Sequence, residues 1–179
     1  MSRALPESAG ERMIRAARET DVAWLRGIEV AAGRIFADVG MDAVARDEPF
    51  TAAELLGYIE DGRAWVAVDE ADRAVAYVIV KWVDGPAHVE QVSTHPDHAG
   101  RRLGAGLIEH VAGWARERGA DALTLTTFVD VAWNAPYYER LGFRPLAEYE
   151  LTPGLREIRA EEAAHGLDRW PRIAMRRDL

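Results

Sequence analysis

The chain has 179 residues, 49% of them apolar and 29% charged, with no Cys and a formal net charge of −8. That length and apolar content suit one globular domain with its own core, and the lack of Cys excludes disulfides, thiolate catalysis and Cys-based zinc sites. The acidic balance, 30 Asp and Glu against 22 Lys and Arg, argues against nucleic acid as the main ligand and is compatible with cationic substrates.

Residues 1–11 read as a loose, charged tail without the apolar segment of a secretory signal. No apolar run reaches membrane-spanning length, so no membrane partner and a cytoplasmic location are expected. "MIRAARE" predicts a short strand. Asp21 stands where a helix N-cap belongs, and Val22, Leu25, Ile28 and Ile35 repeat at helical spacing after it. "MDAVARDEP" reads as a loop. Thr51 opens a second helix, "TAAELLGYIEDG", with Glu54 completing a capping box and Gly62 as its stop. "RAWVAVDE", "AVAYVIVKWVDG" and "PAHVEQVST" are β-branched and aromatic runs separated by turns, hence strands. A helix from Leu103 to Arg118 buries Leu107, Val111, Trp114 and Ala115, and Gly119 closes it. "DALTLTTF" is a strand and "VDVAWNAP" a loop. Asn134 caps a short helix, "APYYERLG", with Pro136 in its first turn. "FRPLAEYELT" is a strand, "PGLREIRAEEAAHGLD" a helix and "WPRIAMRRDL" a last strand. Tight turns between the middle strands favour an α+β fold: a mixed, mostly antiparallel sheet of six to seven strands flanked by helices, in one domain over 12–179.

The segment "STHPDHAGRRLGAGLIEHVAGWARERG" poses a chemical question. Gly100, Gly104 and Gly106 sit at or near a helix start, where Ala would cost less entropy. Bare backbone amides there suit an anion on the positive end of the helix. A Walker loop fails for want of a Lys-Ser pair, and a dinucleotide fingerprint fails because Leu107, Ile108 and Glu109 follow Gly104-Ala105-Gly106. What remains is a strand, a loop whose amides from Gly100 to Ala105 would face a pyrophosphate, and a helix. Arg101 and Arg102 add positive charge. The pair His95 and His98 lacks a third ligand at suitable spacing, so no metal is expected.

"VSTHPDHAGRRLGAGLIEHV" followed by "LTLTTFVDVAWNAPYYERLGFRPL" resembles the GCN5-related N-acetyltransferases (GNAT). The likeness is sharpest over residues 88–144. That family's pyrophosphate motif is Gln/Arg-x-x-Gly-x-Gly/Ala. Set with Ala99 first and Arg102 fourth, it is met literally only at Gly104. The resemblance implies a three-layer α/β/α fold and acetyl-CoA as co-substrate. It implies that Val92, Ser93 and Thr94 pair with the pantetheine arm across a splayed strand, and that Gly100, Arg101, Arg102, Leu103, Gly104 and Ala105 hold the pyrophosphate. It makes Tyr138 the acid that protonates the leaving thiolate and Asn134 a helix cap that also meets the cofactor. Tyr137, about 100° around the helix, reads as core or substrate wall.

The reaction also needs a base near the amine. His88 and Glu90 lie two apart on one strand and share a face. Glu90 is the stronger choice, because a carboxylate on an inward strand face has fewer structural reasons to be there. Glu29, Phe36, Trp82, Phe128 and Trp133 are the expected substrate walls, joined by Met41 and Phe50, with Asp38, Asp42, Asp47 and Glu48 supplying negative charge. The reading is an acetyl-CoA-dependent transfer to a primary amine, of a small molecule first and of a protein N-terminus or lysine as the alternative. A non-catalytic acyl-CoA-binding module is the alternative of another class. A homodimer is compatible with all three.

Overall fold

The structure, a computed structural model, describes residues 13–179, so the tail expected over 1–11 lies outside it. One seven-stranded sheet organises the chain: β1 (Ile14–Ala16), β2 (Ala64–Val68), β3 (Ala74–Trp82), β4 (Ala87–Thr94), β5 (Ala122–Phe128), β6 (Arg144–Pro145) and β7 (Arg172–Asp178). Their order is β1-β2-β3-β4-β5-β7-β6, antiparallel at every pair except β4 with β5. The mixed, mostly antiparallel α+β sheet expected from the sequence is what forms. The helices are α1 (Val22–Gly33), α2 (Asp42–Ala45), α3 (Ala52–Glu60), α4 (Leu103–Glu117), α5 (Ala135–Arg140) and α6 (Pro153–Ala164).

Strand alternation decides which helix each residue meets. On β3, Tyr77 and Ile79 join Leu25, Ile28 and Leu55 of α1 and α3 in one core. Val78 and Val80 join Leu107, Ile108 and Val111 of α4 in the other. On β5, Leu123 and Leu125 face α4, so Thr124 and Thr126 face the opposite side, where Thr126 bonds Glu162 of α6. A third layer is thus split, with α1 and α3 over one half of the sheet and α6 over the other.

Several local expectations hold. Thr51 and Glu54 cap α3 reciprocally, a device worth about 1 kcal/mol. Gly119 takes a left-handed φ of 80° after α4. Others change. Asp21 precedes α1 but makes no side-chain cap bond. Its buried carboxylate instead accepts two bonds from Arg15 and one from the Arg18 backbone. A buried Arg–carboxylate fork outweighs a cap bond that water can replace. The "MDAVARDEP" loop holds the single turn α2. The "FRPLAEYELT" strand shrinks to Arg144–Pro145, since Pro145 has no N–H for the ladder. Beyond it the chain curls, and Glu150 accepts from the Ala147 amide at 2.8 Å.

Candidate active site

Two irregularities in the sheet create the site. The β3–β4 register runs Ile79↔Gln91 and then Val80↔Val89, so Glu90 is an extra residue, a bulge in β4. The parallel β4–β5 pairing consists of Ala87↔Leu123 and His88↔Thr124. Past those rungs the strands part, and the edge of β4 from Val89 to Thr94 faces a cleft of about 1500 Å³. The loop after β4 turns into α4 through left-handed Gly100 and Arg102, at φ 76° and 57°. No side chain caps α4, and the bond from the Gly106 amide to the Arg102 carbonyl is the first of its turn. The amides before Gly106 are left for other acceptors.

Most of the expected cofactor residues line this cleft: Val92, Ser93, Thr94, Gly100, Arg102, Leu103, Gly104 and Asn134. Arg101 and Ala105 do not. Arg101 is exposed with its guanidinium 3.3 Å from His98 Nδ1, and Ala105 is packed inward on α4. Asn134 precedes α5 without a side-chain cap bond. Its Oδ1 accepts from the Thr127 hydroxyl at 2.8 Å, tying α5 to the end of β5. The glycine motif also sits two residues later than the Ala99 setting: Arg101-x-x-Gly104-x-Gly106 fits it in full. The structure explains the first of those glycines. A Cβ on Gly104 would lie 3.0 Å from the Tyr137 hydroxyl.

Two of the three catalytic candidates, His88 and Glu90, meet at the bulge. His88 is 2% exposed. Its Nδ1 lies 2.9 Å from Thr124 Oγ1 and its Nε2 lies 3.9 Å from Glu90 Oε2. Burial, with the Lys81 cation second, lowers its pKa to about 4, so the ring is neutral at pH 7. Glu90 is ion-paired with Lys81, Nζ to Oε2 2.9 Å. The sequence reading missed Lys81, although its place one step from Tyr77 and Ile79 in the β3 alternation could have found it. Tyr138 lies in the cleft wall and packs on Phe143, its ring centroid 5.8 Å away. Burial first, and Tyr137 second, hold its phenol well above the usual range, so it keeps its proton.

One stretch of the cleft wall is aromatic. Phe36 stands edge-on to Phe128 at 5.8 Å and to Trp133 at 5.4 Å, and Met41, Val131 and Trp170 are among the residues packed with them. The buried Trp133 Nε1 has no partner among the described residues. Glu29 lies on the same side. Its Oε2 accepts from the Phe50 amide at 3.1 Å and the Tyr77 hydroxyl at 2.9 Å, and burial raises its pKa. Trp82, expected here, is elsewhere. It follows Val78 and Val80 onto the α4 side, where it stacks on Trp114 at 5.1 Å. The helix α6 and the turn after it also contribute to the wall, through Ile158, Glu161, Glu162, His165 and Leu167. Glu162 is bonded by Thr126, by Arg159 at 2.6 Å and by Arg172 at 3.1 Å. Burial opposes its charge, but those cations and hydrogen bonds win and lower its pKa.

Comparison with known proteins places this geometry. Streptothricin acetyltransferase of Streptomyces lavendulae is 32% identical over 112 residues, 60% of this chain and 56% of that protein, so the chain spans about half the length of this curated relative. Among solved structures, PaiA N-acetyltransferase of Thermoplasma acidophilum in complex with coenzyme A aligns with a TM-score of 0.69 at 12% identity, over 94% of this chain and 99% of that one. An acetyltransferase of the GNAT family from Staphylococcus aureus aligns with a TM-score of 0.70 at 12% identity, over 94% and 99%. At these identities the two structures speak for the fold. The model of the acetyltransferase (GNAT) family matches residues 34–143, more than half of the sequence and all of β2 to α5, and the chain belongs to that family.

Proposed function

We propose that the protein transfers an acetyl group from acetyl-CoA to the nitrogen of a small, cationic primary amine. The observation that carries this reading is the splay of β4 from β5 beside an uncapped α4. The free edge of β4 offers backbone groups to the pantetheine amides, in the manner of an added strand. The first-turn amides of α4 and the Arg102 cation suit a diphosphate. The residues present therefore fit the cofactor, which would supply a thioester carbonyl. The amine nitrogen bonds to that carbon, and the carbon–sulfur bond breaks. Glu90, anchored by Lys81, receives the proton lost from nitrogen, directly or through water. Tyr138 gives its proton to the sulfur. His88 lines the bulge as a neutral ring.

Two features support a compact, cationic acceptor. Phe36, Phe128 and Trp133 pack into an aromatic stretch of the cleft wall, and Glu29, Asp47, Glu48 and Glu54 border it. Likeness to a streptothricin acetyltransferase supports a small-molecule acceptor. The test is thiol release from acetyl-CoA against a panel of small amines, with products identified by mass spectrometry. At least one amine should give turnover, and Tyr138→Phe should lower it roughly ten- to a thousandfold at little change in acetyl-CoA affinity. A protein that binds acetyl-CoA yet releases no thiol with any amine is a binding module instead.

A further inference from the structure

We propose that Tyr137 is a direct ligand of the cofactor's diphosphate, clamping it against the first turn of α4, while its neighbour Tyr138 serves the sulfur. The inference rests on the reading of this cleft as a CoA site. Consecutive residues on a helix point about 100° apart, so the two tyrosines address different places. Tyr138 turns toward Phe143 and the α4 core. Tyr137 lines the cleft and reaches across to α4, where its hydroxyl sits 3.0 Å from the position of a Cβ on Gly104. Thr94 Oγ1, at the end of β4, lies 3.9 Å from the same point. Thus β4, α4 and α5 converge at the first turn of α4, whose amides before Gly106 have no partner within the helix.

The surroundings of that hydroxyl are those of an anion site. Burial raises the Tyr137 pKa, while Arg102, Arg140 and the Ala105 amide oppose the rise. Arg140 stands 5.9 Å over the ring. Among the described residues no side chain takes the hydroxyl hydrogen, so it is free to point at an acceptor in the cleft. A phenol that faces a helix amide with its oxygen and keeps its hydrogen free can extend that amide's reach to a phosphate oxygen. This also accounts for Gly104: any Cβ there would push the hydroxyl away. Tyr137 is therefore more than the core or substrate wall expected from the sequence.

Calorimetric titration of CoA and of pantetheine, which lacks the diphosphate, tests the assignment. Tyr137→Phe keeps the ring and its packing. It should weaken CoA about ten- to a hundredfold, the scale of one lost hydrogen bond to a charged group, and leave pantetheine unchanged. Gly104→Ala should weaken CoA similarly, and should cost little more once Tyr137→Phe is present, because the two changes remove the same contact. Thermal unfolding confirms that each variant is folded. If Tyr137→Phe binds CoA like the parent, or weakens CoA and pantetheine alike, the role is overturned while the cleft remains a CoA site. If the parent protein itself binds no CoA, the functional reading falls and this inference with it.

Discussion

His88 and Glu90 stand two apart on β4 and meet opposite fates. His88 is enclosed at the last β4–β5 rung and bonded to Thr124, whereas Glu90 occupies the bulge and pairs with Lys81. Burial opposes a charge on the enclosed His88 ring, whereas the Glu90 carboxylate is more open to the cleft and is held beside the Lys81 cation. Glu90→Gln should therefore cost most of the turnover at low pH and recover partly at high pH, where free amine is abundant. His88→Asn should keep most of the turnover and change stability instead. The unfolded chain binds the imidazole proton below about pH 6.5 and the folded chain only below about 4, so folding loses stability as pH falls through that window. At pH 5 the loss from this one group is about 2 kcal/mol. Urea unfolding at pH 7.5 and pH 5 should show His88→Asn losing less stability than the parent by that amount. If the variant loses as much as the parent, burial of a neutral His88 is wrong. If it is the His88 variant that flattens the acidic limb of turnover, the roles of the two residues are exchanged.

At the scale of elements, the sequence announced what local chemistry decides. The capping box of α3, the Gly stop of α4 and the strand runs from Ala64 to Thr94 all formed as their residues imply. The failures lie where distant partners decide. Asp21 is a good cap until Arg15 folds against it. Trp82 is aromatic and near the cleft in sequence, yet alternation from Val78 and Val80 sends it to Trp114, a clue that was readable in the strand itself. The glycine motif was readable too, once set with Arg101 at its head. The role of α6 was not, because its Glu162 acquires meaning only from Thr126 on β5 and Arg172 on β7. Arg172 in turn lies 4.3 Å over the Phe128 ring. That cluster pins α6 to the aromatic wall, joining Arg159, Glu162 and Arg172, which lie beyond the segment that the family model matches, to Thr126 and Phe128 within it. Glu162→Ala strands the enclosed Arg172, while Arg159 keeps Asp168 at 3.1 Å, and should destabilise the fold by roughly 3 kcal/mol. By loosening the wall it should raise KM for the amine more than KM for acetyl-CoA. Urea unfolding and steady-state kinetics check the two halves of the prediction, and an unchanged amine KM would leave α6 a structural cover alone.

The whole molecule is a sheet with a built-in division. The half from β1 to β4 and the half from β5 to β7 share two rungs of parallel pairing at Ala87 and His88, together with the packing of α4 and α5 beneath them. No helix among the described residues is long and apolar enough to cross a membrane. The free edge of β4 is a liability in an isolated sheet, because unpaired amides and carbonyls invite other strands. A cofactor bound along that edge removes the liability and joins the two halves, so cofactor binding should act on the fold as a whole. By linkage, CoA at a hundred times its Kd stabilises by about 2.7 kcal/mol. For a chain of this size that raises Tm by roughly 5–10 °C. Pantetheine at the same multiple of its own Kd should give the same shift, since linkage depends on occupancy and not on which contacts supply it. Hydrogen exchange separates the two ligands. Both should slow the amides of β4 beyond the bulge, from Gln91 to Thr94, and CoA alone should slow those of Leu103 to Ala105 at the start of α4. If CoA slows α4 but leaves β4 unchanged, the diphosphate is bound as described while the pantetheine arm does not pair with the strand. The splay between β4 and β5 would then serve the amine rather than the cofactor.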